Sequence, residues 1–135
     1  MKDQTCQERV KDHYEDRISD LHKLWQAYSK GEEEVEDLGN IFEYGLAFDY
    51  VPFTEDDDRQ EPGYFRYQLS TGGPGDEFRF FCDAEKHCYK VEYWFLDWYD
   101  GARFPVHGDD LKFMKEIFDW FAECGSLETA MEAAQ

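Results

Sequence analysis

The chain lacks any apolar run near the roughly 20 residues that cross a bilayer, and its opening segment MKDQTCQERVKD holds no apolar signal core. A cytoplasmic protein without membrane contact is therefore expected. Basic residues are scarce: 14 Lys plus Arg stand against 32 Asp plus Glu in 135 residues, a formal net charge of -18. That balance argues against direct binding of bare nucleic acid or an anionic membrane through a general surface, since both repel carboxylates. Only four prolines and four cysteines occur, and without an export signal the thiols are expected to be free in a reducing compartment. Neither an internal repeat nor a linker composition is visible. Aromatic residues, by contrast, are plentiful, with 12 Phe, 9 Tyr and 4 Trp. High charge with low hydrophobicity marks disorder, but this aromatic content supplies enough burial per side chain for a single compact domain over residues 1–135.

The acidic excess is concentrated. Between residues 31 and 63, GEEEVEDLGNIFEYGLAFDYVPFTEDDDRQEPG holds twelve acids and one base, whereas residues 1–30 balance at six of each. A uniform solubilising coat would not be distributed in this way.

Hydrophobic spacing orders the elements. Val10, Tyr14, Ile18, Leu21, Trp25 and Tyr28 recur at steps of three and four, one stripe of a helix over Glu8–Lys30 that Gly31 stops. A second helix is expected next, with Glu32, Glu33 and Glu34 at its positive end, Val35, Leu38, Ile41 and Phe42 facing inward, and Gly39 as a weak point. The period then shortens: LAFDYVPF, GYFRYQLS, EFRFFCD and CYKVEYWFLDW are aromatic runs bounded by Pro, Gly and Asp and read as strands. TGGPGD and CDAEKHC are hairpin connections, and Pro52 assigns the first run to an edge. After the turn-like WYDGARFPVHG, Asp109 or Asp110 caps a helix whose wide apolar face (Leu111, Phe113, Met114, Ile117, Phe118, Trp120, Phe121) packs across the sheet until Gly125. Residues 126–135 form a frayed or short final helix. The fold expectation is α+β: an antiparallel meander of three to four strands packed against helices, in the order α-α-β-β-β-β-α.

Catalytic patterns are weak. Cys82, His87 and Cys88 are ligands of the type zinc prefers, but their spacing departs from the usual close pairs, and Asp83 and Glu85 give them an acidic setting that disfavours a reactive thiolate. Neither a metal nor a cofactor is expected. TGGPGD lacks the Lys and Ser/Thr of a phosphate loop. His13 and His22 stand nine residues apart, not at the i, i+4 spacing of a zinc pair. Asp97 and Asp100, amid Trp94, Trp98 and Tyr99, form the one carboxylate pair that invites a hydrolase reading.

The segment YQLSTGGPGDEFRFF (67–81), followed by VEYWFLDWYDG (91–101), resembles a segment of small uncharacterised proteins carried by phages and plasmids, over about a fifth of the chain. In size and charge the chain also resembles the small acidic anti-restriction and anti-CRISPR proteins that imitate DNA. A mobile-element origin, as the first resemblance implies, makes a host-defence target the expectation. Charge physics leads in the same direction, because a dense carboxylate surface can occupy the basic groove that holds nucleic acid. The expectation is thus a non-enzymatic acidic protein that docks on the basic surface of a nucleic-acid-binding protein. Its binding residues would be Glu32, Glu33, Glu34, Glu36, Asp37 and Glu43, with Glu55, Asp56, Asp57 and Asp58 on the following loop. The alternatives are a small carboxylate-dependent hydrolase using Asp97 and Asp100, and an adaptor that self-associates, as a homodimer for example, through Phe113 and Trp120 on the last long helix.

Overall fold

The structure, a computed structural model, describes residues 6–32, 34–52, 63–71, 75–97 and 100–134. Helix α1 (Cys6–Ser29) buries Val10, Tyr14, Ile18 and Leu21 of the expected stripe and adds Leu24 and Ala27, while Trp25 is half-buried and Tyr28, at the last turn, is exposed. Gly31, at φ 78°, closes it by adopting the left-handed conformation that costs glycine least.

Residues 34–40 do not continue as a helix. Asp37 (φ 70°) and Gly39 (φ 80°) both take left-handed backbone angles, and a Val35–Gly39 antiparallel bridge closes a tight turn between them. Helix α2 is a single turn, Ile41–Tyr44, capped by Asn40, whose side-chain oxygen accepts from the Glu43 N–H at 3.0 Å. The expected second helix is therefore corrected to a turn and a short helix. The left-handed residues four and two positions before α2 prevent the continuous i to i−4 bonding that a longer helix needs.

Among the described residues the sheet has five strands, all antiparallel and ordered as they occur: β1 (Ala47–Val51), β2 (Tyr64–Ser70), β3 (Gly75–Cys82), β4 (Cys88–Asp97) and β5 (Asp100–Pro105). The α+β class and the meander are as expected, and β1 is an edge strand. The extra strand is β5, drawn from the stretch read as a turn. Its Ala102 and Phe104 pair with Phe95 and Tyr93 of β4 and continue the alternation of the inner face.

On that inner face Phe65, Tyr67, Phe78, Phe80, Tyr93 and Phe95 are buried beneath the helices. Tyr14 of α1 meets the rings of Phe78, Tyr93 and Phe104 at centroid distances of 6.4, 5.8 and 4.6 Å. Helix α3 (Gly108–Glu123) packs Phe118 on Phe65 and Phe80, and stacks Phe121 on Phe48 at 4.2 Å. This is the helix-on-sheet layer anticipated from its apolar breadth. Its N-cap is His107, not an aspartate, and Asp109 and Asp110 occupy the first turn, where the helix dipole favours them. Helix α4 (Ser126–Ala133) is short and buries Leu127 and Ala130 beside β1.

The opposite face of the sheet mixes aromatic and charged side chains: Phe81 is fully buried there beside Tyr64, with Lys90 over its ring at 4.2 Å, and the arginines are matched with carboxylates. Arg66 is bidentate on Asp49 at 3.0 and 2.5 Å, Arg79 meets Glu77 at 2.7 Å, and Arg103 meets Glu92 at 3.4 Å. The buried Arg79 guanidinium lies between the rings of Trp94 and Tyr64, 4.0 and 4.7 Å from their centroids. These two cation–π contacts offset the lack, among the described residues, of a hydrogen-bond partner at its Nη1 atom.

Candidate functional site

The turn after α1 and the single-turn α2 create a concavity at the surface. A groove of about 450 Å³ runs between the C-terminal end of α1 and residues 34–42, floored by Leu24, Ala27, Val35 and Ile41. Past the Phe42 side chain it is followed by a second hollow of about 250 Å³, bordered by Leu46, Phe48, Trp120 and Cys124. Phe42 stands as a ridge between the two and is 65% exposed, with Leu46 at 60% and Tyr28 at 40%. These aromatics are ordered against one another. Phe42 lies edge-on to Tyr28 and Trp120 at 5.6 and 5.2 Å, and the Trp120 indole N–H donates to the Tyr28 hydroxyl at 3.3 Å.

Phe42 was expected to face inward, and the structure reverses this: Ile41 is buried and Phe42 is presented to solvent. The error follows from the assumed helical period. Once the chain turns at Asp37 and Gly39, positions 38 and 42 no longer lie on one continuous helical stripe.

Half-buried polar bonds tie the end of this segment to α1. The Tyr44 hydroxyl donates to Asp20 at 2.8 Å and accepts from Arg17 at 2.9 Å, which ties α2 to α1. Arg17 in turn grips Asp76 of β3 through Nε and Nη2, at 2.7 and 3.0 Å, while Tyr93 donates to the same carboxylate at 2.6 Å and Ser70 adds a further short bond. Burial pushes the Tyr44 hydroxyl up to about 12; Arg17 opposes the shift and Asp20 reinforces it. Burial and the Asp76 carboxylate likewise push Tyr93 well above the usual tyrosine range. None of these residues was singled out from the sequence, because a carboxylate in a strand gives no sign of a partner 59 positions away.

Of the acidic residues expected to bind a partner, Glu32, Glu34, Glu36, Asp37 and Glu43 are exposed along this segment, and Glu32 and Glu34 line the groove itself. Among the described residues none of these five enters an ion pair, whereas Asp49, Asp76, Glu77, Glu92 and Asp97 each meet an arginine. Glu33, Glu55, Asp56, Asp57 and Asp58 lie outside the described residues.

The other candidates are placed differently. Asp97 forms a 2.9 Å ion pair with Arg9, which stacks over Phe95, so its carboxylate joins α1 to the sheet; Asp97 and Asp100 are register partners, and the side chain of Asp100 lies outside the description. Cys82 and Cys88 face one another across the β3–β4 hairpin. Their mutual hydrogen bond pushes the Cys82 thiol up and draws that of Cys88 down. His87 points toward Asp83 and Glu85, each 3.6 Å away, and among the described residues no cluster of three or more His, Cys, Asp or Glu is arranged to hold a metal ion. Phe113 and Trp120, expected on a self-association face, are buried within the chain, Phe113 stacked on His22 at 3.8 Å. No helix among the described residues is long and apolar enough to cross a membrane.

Comparison of the chain with protein-family models, with curated proteins and with solved structures gives no match.

Proposed function

We propose that the protein is a non-enzymatic acidic binding domain that docks on the basic, nucleic-acid-binding surface of another protein and blocks it, with the segment 32–43 as its principal contact. The observation that carries this reading is the contrast in how carboxylates are used. Those on and beside the sheet are neutralised by arginines, while Glu32, Glu34, Glu36, Asp37 and Glu43 are exposed without an ion pair among the described residues, around a ridge of aromatic side chains. Unneutralised carboxylates supply long-range steering toward a basic partner, and a central exposed aromatic supplies the desolvated anchor that charge alone does not. The hydrogen bonds through Tyr44 and Asn40 fix the backbone on which these charges sit, so less ordering is needed when a partner binds.

The test is retention from nuclease-treated bacterial lysate on immobilised protein, beside a variant with Glu32, Glu34, Glu36, Asp37 and Glu43 all replaced by Gln. Nucleic-acid-binding proteins should be retained by the native chain, eluted by added salt or competing duplex DNA, and lost with the variant. An identical set of retained proteins on both would end the assignment of this segment.

A further inference from the structure

The two hollows flanking Phe42 are shaped for more than charge attraction. We infer that they take a linear peptide segment of the partner, one that places an apolar side chain on each side of the Phe42 ridge and carries lysine or arginine beside them. This rests on the acidic-docking reading above and specifies the form of the partner. A flat basic surface would meet the carboxylates but would leave the groove empty and the exposed Phe42 and Leu46 only partly covered. The groove floor is aliphatic, its volume is in the range that accepts bulky apolar groups, and among the described residues the linings of both hollows together contain Glu32 and Glu34 and no lysine or arginine.

Charge complementarity selects the occupant. A second copy of this chain would bring another net charge of -18 against the same rim, and an acidic or uncharged apolar segment would leave the two groove carboxylates desolvated without a cation. A basic segment neutralises them as it covers the apolar floor. The anchoring then follows the general pattern of a few well-packed central residues within a polar rim.

The experiment is selection from a phage-displayed library of random 12-residue peptides against the full chain at low salt. Affinities of the winning peptides are then measured for the native protein, for Phe42→Ala and for Glu32→Gln/Glu34→Gln. Because Phe42 is largely exposed, its replacement leaves the core intact. Cys124 lines the second hollow and is itself exposed, so its alkylation rate, read by mass spectrometry, reports occupancy of that hollow. The expected result is enrichment of peptides with aromatic or aliphatic anchors beside Lys or Arg. Their affinity should fall at least tenfold in Phe42→Ala and several-fold in the double glutamine variant, and they should slow Cys124 alkylation. Basic peptides without apolar anchors, bound equally well by Phe42→Ala, would overturn the groove inference while leaving acidic docking in place. Failure to enrich basic peptides at all, or binding indifferent both to salt and to the glutamine variant, would overturn both.

Discussion

Asp76 is 4% exposed, yet it accepts hydrogen bonds from Arg17, Tyr93 and Ser70, and through Arg17 it connects the sheet to α1, Tyr44 and α2. Removing one member of such a pair leaves the other charge buried without compensation. Asp76→Asn should therefore lower the unfolding free energy by about 3 kcal/mol, near the low end for buried pairs because Arg17 keeps some access to water. Urea denaturation measures this, and a cost below about 1 kcal/mol would show that the network is a weak tie. The tyrosines of the same network make stability depend on alkaline pH. Tyr44 is raised from the ordinary value near 10 to about 12, so its contribution is present in full below pH 10 and is lost as pH rises toward 12. Denaturation midpoints should hold steady from pH 8 to pH 9.5 and fall above pH 10, and Tyr44→Phe should flatten that decline. At this scale the sequence was least informative. It showed which residues could ionise, but the pairings of Asp76 and Tyr44 depend on strand register and on the position of α1.

Between elements, the close approach of α2 to the sheet hinges on Gly45. A Cβ atom there would overlap the ring of Tyr67, which is buried beneath Phe121. Gly45→Ala should cost about 2 kcal/mol through overpacking and displace α2, with near-UV circular dichroism changing along with the thermal midpoint. An unchanged midpoint would mean that the Tyr67 ring can shift without loss. The packing of α3 on the sheet rests on Phe118, so Phe118→Ala should cost about 3–5 kcal/mol by chemical denaturation, the usual range for a buried phenylalanine. Elements with a strong period were legible: the stripe of α1, the alternation of Phe65, Tyr67 and Leu69 in β2, and the apolar breadth of α3 all survive in the structure. Two elements were misread. β5 is short and flanked by Gly and Pro, the signals of a turn, and it forms a strand because β4 offers a free edge beside it. Residues 32–40 carry helix-favouring glutamates, but Asp37 adopts a left-handed conformation that composition alone does not reveal.

Over the whole molecule, a charge of -18 on 135 residues makes self-repulsion a standing cost of the compact state. Raising NaCl from 0.05 to 0.5 M should increase the thermal midpoint by screening that repulsion; a decrease would show that the arginine–carboxylate ladder contributes more than the net charge removes. The sequence by itself determined the α+β class, the meander, the first and last long helices, and the concentration of acids between residues 31 and 63, because hydrophobic period and composition are local properties. Only the tertiary structure decided which carboxylates meet an arginine, and that Phe42 lies at the surface between two hollows. Those outcomes depend on where the turn at Asp37 and Gly39 sends the chain and on which arginines the strand register brings within reach, and no local pattern encodes either.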